Sequence, residues 1–327
     1  MKVNIDFTNS TFKKIALSSK PIHVTQLSTI DAFFLLIRDI PFRDLDLFCQ
    51  DIQSQLNLSF SLEEIYKLLQ KSDSLSEDIK KNIFTIAMKN HSFGSHSFFL
   101  KNGMEINTSS WINHSFNVAI VSKKIASVLD DADEDTCYVL GLLHDVGRKF
   151  KTDMEHTVYG FEYLVSHGYE NEAIICLTHS HIHGERCANN EPAVPWWEWI
   201  DGKSVFHDNQ DDLTDFLKNY SYSVYDNIVS IADLMATDKN VMSVYERILK
   251  LSQRTNSNSS NKKLFYIELI NQLQEFLYMF GVVDFVQPQL ALDDITIELL
   301  EERLSNLSQI FFQYYQSIPQ DTKNHHF

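Results

Sequence analysis

Six side chains of metal-ligand type, His114, His144, Asp145, His156, His179 and Asp233, stand on apolar stripes of the sequence. His114 falls one helical turn before Val118 and two before Val121 in WINHSFNVAIVSKKIASVL, which puts it on the inward face. His144 and Asp145 follow Leu140 and Leu143 at the end of the apolar run in LGLLHDVGRKF, where Gly147 is expected to stop the helix. His156 shares a face with Tyr159, Gly160 and Tyr163, His179 follows Ile175 and Cys176, and Asp233 is in line with Val229 and Ala236. A single inward imidazole is ordinarily a hydrogen-bonded core residue, and a single buried aspartate can be satisfied by a tyrosine or a backbone amide. Six together would need six separate partners, whereas one shared cation cluster satisfies them all.

The ligand types narrow the cation. Imidazole and carboxylate without thiolate favour iron, manganese, cobalt, nickel or magnesium over structural zinc, so divalent metal ions, one or two per chain, are the expected cofactor. Arg148 and Lys149 follow the His144–Asp145 pair and are placed to hold a phosphate, which makes them, with Asp145, the candidate catalytic residues. For Lys149 a role complementing a helix C-terminus fits equally well.

The order H…HD…H…H…D, together with the phrases NHSFNVA, LGLLHDVGRK, HTVYGFEYL, AIICLTHS and SIADLMA, resembles the HD superfamily of metal-dependent phosphohydrolases over about residues 106–240. The resemblance implies an all-helical core of about five helices. It also implies a metal held by His114, His144, Asp145 and Asp233, and a second one where His156 and His179 match the extra histidines of two-metal members. In that reading Asp145 bridges the ions and a metal-acidified water attacks phosphorus. The cyclic-dinucleotide branch carries a HHExxDGxGYP stretch, where this chain reads THSHIHGERCANNEP. The same ligand order also occurs in the oxygenase branch of the superfamily, which makes a dinuclear iron oxygenase the alternative activity. A non-catalytic, metal-bearing regulatory protein is the alternative outside enzymology.

The elements that must position these residues are helical. Only 9 glycines and 6 prolines interrupt the chain, and apolar residues recur at intervals of three and four, so the expected fold is all-α: an HD-type helical bundle with additional N- and C-terminal helices. DAFFLLIRDI, DLDLFCQDIQSQL, SLEEIYKLLQKS and SEDIKKNIFTIAMKN read as amphipathic helices, with Ser61 and Ser76 as caps. The expected division is an N-terminal helical region over 1–105, a metal-binding catalytic domain over 106–250, a polar linker over 251–263 and a C-terminal helical region over 264–327. Between His179 and Asp233, the Pro- and Trp-rich segment around Trp196, Trp197 and Trp199 cannot continue either flanking helix and is expected to lie over the site as a lid or pinned loop. His167, His181 and His183 read as helix-end residues, and His325 and His326 as tail.

A net charge of −16 repels phosphate polymers and anionic membranes, so the expected partner is a small phosphorylated or nucleotide-like substrate, with no extended nucleic acid and no membrane. Four cysteines without CxxC spacing fit a reducing, cytoplasmic setting.

Overall fold

The computed structural model describes residues 21–90, 93, 97–99, 105–107, 110–150, 156–180, 196–200, 203–207, 217, 220–252, 259–284 and 295–319. Four helices come first: α1 (Thr29–Ile37), α2 (Phe42–Gln55), α3 (Leu62–Leu69) and α4 (Glu77–Asn90). Ser61 caps α3 in a full capping box with Glu64, and Ser76 directly precedes α4, its carbonyl accepting from Lys80 N–H. A short hairpin follows, β1 (Ser97–Phe99) paired antiparallel with β2 (Glu105–Asn107).

The middle of the chain supplies α5 (Trp111–Ala126), α6 (Glu134–Leu143), a 3-10 turn (Val146–Lys149), α7 (His156–Ser166) and α8 (Glu170–Thr178). Ser110 caps α5 by accepting from Asn113 N–H, and Asp133 caps α6 by accepting from Thr136 N–H. Next come the hairpin β3 (Trp196–Ile200) with β4 (Lys203–His207), then α9 (Val224–Met235), α10 (Val244–Ser252), α11 (Ser259–Met279) and α12 (Ile297–Ser317). The fold is all-α, with two small hairpins as its sheet content among the described residues.

Two features differ from the expectation. The tryptophan segment, expected as irregular chain, contributes a regular two-stranded ribbon in which Trp196 pairs with His207 and Ile200 with Lys203. The polar stretch expected as a linker is already helical from Ser259, where α11 begins.

One contiguous apolar cluster runs through the N-terminal helices, the middle helices and α11–α12. At its centre α5 packs along α6, α9 lies across both, and α7 packs on α8 and on the 3-10 turn. The α5–α6 crossing is close because Gly141 faces the backbone of Ala119: a Cβ on Gly141 would stand 2.6 Å from Ala119 Cα. That crossing brings the rings of His114 and His144 to 5.3 Å between centroids.

Candidate metal centre

All six sequence-predicted ligands meet where α5, α6, α7, α8 and α9 converge. His114 comes from the first turn of α5, and His144 is the residue that ends α6. Asp145 opens the 3-10 turn, His156 begins α7, His179 ends α8 and Asp233 lies in the last turn of α9. Helix ends therefore supply most of the set, and the chain can change direction there without burying more unpaired backbone.

Asp145 is the hub. Its Oδ2 lies 3.8 Å from His114 Nε2 and 3.5 Å from His144 Nε2. On the other side, Oδ1 lies 2.9 Å from His156 Nε2 and 3.6 Å from His179 Nε2. Asp233 Oδ1 closes the first group, 2.8 Å from His114 Nε2 and 3.8 Å from His144 Nε2. Two overlapping sets of donor atoms have metal-ligand spacing: His114, His144 and Asp233, and His144, Asp145 and His179. The Asp145 carboxylate is buried, whereas the Asp233 side chain is 24% exposed and marks the side from which the site can be reached.

Two of the imidazoles are oriented from behind. His144 Nδ1 donates to Gly141 O at 2.8 Å and His179 Nδ1 donates to Ile175 O at 2.9 Å. With the Nδ1 proton committed to a carbonyl, each Nε2 presents a lone pair to the centre. Burial disfavours the charged form of both rings, pulling His144 below its ordinary range and His179 down to about 3. The carboxyls go the other way. Burial alone would raise Asp145, but the Arg148 guanidinium and the surrounding imidazoles outweigh it and hold it well below the usual carboxylate range. Asp233 is likewise lowered against burial, chiefly by the hydrogen bond from His114.

The rings of His144 and His179, whose charged form burial disfavours, and the two carboxylates bring lone pairs and negative charge together, an arrangement that a cation stabilises. The buried atoms His144 Nε2 and Asp145 Oδ1 make no hydrogen bond, as expected of atoms reserved for coordination. Cys176 is not a ligand here: its Sγ donates to Leu143 O at 3.5 Å, and burial pushes the thiol well above its ordinary pKa. The donor set therefore fits divalent metal, of the kinds that accept nitrogen and oxygen without thiolate.

Arg148 and Lys149 part company. Arg148 Nε donates to Asp145 Oδ2, and its side chain keeps 32% of its surface exposed beside the carboxylate. Lys149 turns the opposite way, so the expectation that it holds a phosphate is corrected. Its Nζ donates to Leu35 O at 3.1 Å and Arg38 O at 2.9 Å, the carbonyls at the end of α1, and lies 3.8 Å above the ring of Tyr163. Carbonyls at the negative pole of a helix end and an aromatic face are both favourable partners for an ammonium.

Gly147 has a different task from the expected helix stop. It sits inside the 3-10 turn, and a Cβ there would meet His156 O at 1.9 Å and Gly160 N at 2.5 Å. Its bare backbone lets the turn touch α7, which brings Asp145 against His156. Two positioning residues were not singled out from the sequence: Gly141, described above, and Asn117, whose Nδ2 donates to Thr237 O at 2.7 Å and ties the segment after Asp233 to α5. Glycine within an apolar helix was a signal for the first; an asparagine one turn after a ligand gives none for the second. His167 does behave as a helix-end residue, its Nδ1 donating to Tyr163 O at 2.7 Å. His181, His183, His325 and His326 lie outside the described residues, as does much of the segment around the tryptophan hairpin.

No curated protein and no solved structure matches the chain. No helix among the described residues is long and apolar enough to cross a membrane. Residues 111–238 match the HD domain family, and that stretch carries all six convergent side chains, so this part of the chain is an HD domain.

Proposed function

We propose that the protein is a hydrolase that cleaves a phosphoester or phosphoanhydride bond in a small, nucleotide-like molecule. The observation that carries this reading is the two-sided use of Asp145, with His114 and His144 toward Oδ2, Asp233 beside those two histidines, and His156 and His179 toward Oδ1. In this reading His114, His144, Asp145 and Asp233 hold one ion, and Asp145, His156 and His179 a second. Divalent metals bound there supply a water acidified for attack and neutralise charge on phosphoryl oxygens. Iron, manganese, cobalt, nickel or magnesium suits these ligands better than zinc.

Arg148 is the residue of this chain that meets the substrate. Its guanidinium already rests on Asp145, and the exposed part of the side chain lies at the edge of the site, where a phosphoryl oxygen can share its donors. Burial of Asp145 keeps bulk water from competing with that arrangement. The acidic surface disfavours long polyanions, which limits the substrate to small molecules, and the cysteine usage fits a cytoplasmic protein.

The test is a screen of phosphorylated small molecules with added manganese or iron, scoring release of phosphate or nucleotide by the wild type and by Asp145→Ala. Metal-dependent release abolished by the substitution supports the reading. Oxygen consumption without any phosphate release would replace it with the dinuclear iron oxygenase. A purified protein that folds fully without metal and turns over neither class of substrate would favour a regulatory role.

A further inference from the structure

Among the described residues, the N-terminal helices touch the catalytic turn at a specific hook that the proposed chemistry leaves unused. Lys149 is the last residue of the 3-10 turn whose first neighbour is Asp145, and Arg148 N–H donates to Asp145 O across that turn at 2.9 Å. At the far end of the turn the Lys149 ammonium is held by Leu35 O and Arg38 O. Tyr163 supports the same point from α7, its hydroxyl donating to Leu35 O at 3.3 Å while its ring lies under the ammonium. α1 ends here because Arg38 leaves the helical conformation (φ −62°, ψ 142°), which turns these carbonyls outward as acceptors.

We propose that Lys149 is a positioning residue that couples the N-terminal helices to the metal centre: it anchors the Val146–Lys149 turn to the end of α1 and so fixes the placement of Asp145. This inference rests on the reading of the six residues as a metal site. The turn is pinned at both ends, by Gly147 lying against His156 and Gly160 on one side and by Lys149 in the α1 carbonyls on the other. Releasing the second pin leaves Asp145 with wider freedom, and a carboxylate shared between two groups of imidazoles loses affinity when its position spreads. Coupling of this kind is reciprocal, so metal at Asp145 must also steady the last turn of α1.

The experiment compares Mn²⁺ affinity by calorimetry in the full chain for wild type, Lys149→Met and Tyr66→Phe. Methionine keeps the packing of the lysine stem and removes the donor. The Tyr66→Phe control removes a hydrogen bond to Ile40 O, loosening the same N-terminal helices without touching the turn. Lys149→Met is expected to weaken Mn²⁺ binding about tenfold, while Tyr66→Phe lowers thermal stability and leaves the affinity within about twofold. Equal affinity in Lys149→Met and wild type, or equal losses in both variants, overturns the proposal. Hydrogen exchange on the wild type decides the matter even if Lys149→Met fails to fold. Added Mn²⁺ should slow exchange of the amides in the last turn of α1, Arg38 N–H among them, and protection confined to α5–α9 refutes the coupling. A wild type that binds no Mn²⁺ at all removes the metal reading and this inference together, whereas binding without protection of α1 removes only the inference.

Discussion

His156 Nε2 stands 2.9 Å from Oδ1 of Asp145, on the face of the carboxylate opposite the one that meets His114 and His144. One buried side chain thus joins two half-sites, and its charge is what both share. Asp145→Asn keeps the shape and removes the charge. We expect phosphate release to fall by about a thousandfold or more, with bound metal reduced in parallel, measured by steady-state assay and elemental analysis of the same preparation.

Gly147 is where the Val146–Lys149 turn lies against α7 with no room for a side chain. Gly147→Ala would place a methyl on His156 O, and since the obstacle is backbone, relief requires one element to move. The expected loss of stability is about 2–4 kcal/mol, read by urea denaturation, and metal affinity should fall as well because Asp145 and His156 are pushed apart. An alanine variant as stable as wild type would show that the turn and helix do not make this contact.

Asp226 is another buried carboxylate, with a structural task. It accepts from Thr178 Oγ1 at 2.6 Å and from Ser223 N–H at 2.8 Å, joining α9 to the end of α8 just before His179. Asp226→Ala leaves those donors without their acceptor and should cost about 2–4 kcal/mol. Thermal or chemical unfolding checks this, and the variant should still bind metal while folded.

Lys149 gives a signed pH dependence. Desolvation lowers its pKa from 10.5 to about 7 in the folded protein, against the pull of Asp39, whereas the unfolded chain keeps the ordinary value. Between those values the unfolded state binds more protons, so this group's contribution to stability grows as pH rises from about 7 toward 10.5 and is lost as pH falls through about 7. The stability difference between wild type and Lys149→Met, measured by denaturant titration, should therefore shift in favour of wild type on going from pH 7 to pH 10. A difference independent of pH would mean that the ammonium is solvated.

Much of this site could be read from sequence because each ligand interrupts a strong apolar stripe. His114 among Val118 and Val121, or Asp233 among Val229 and Ala236, has an ordinary explanation alone, but six such residues together call for a common partner. The helices around them were equally clear, since long amphipathic segments declare their buried face and Ser61 marks where one of them starts. Lys149 was misplaced for a physical reason. A lysine after a helix end looks the same whether it faces solvent, a phosphate or the carbonyls of a helix more than a hundred residues earlier, and nothing local encodes that docking. For the tryptophan ribbon the Asp201–Gly202 dipeptide between two aromatic and β-branched runs is a hairpin signal, which the flanking prolines mask.

The most direct measurement is the metal content and Mn²⁺ titration of the purified full chain beside its Asp145→Ala variant. Convergence of His114, His144, Asp145, His156, His179 and Asp233 on shared cations predicts one or two tightly bound divalent ions per chain in the wild type and loss of that binding in the folded variant. A wild type that folds without metal and takes up none, or a variant that binds as well as the wild type, would contradict it.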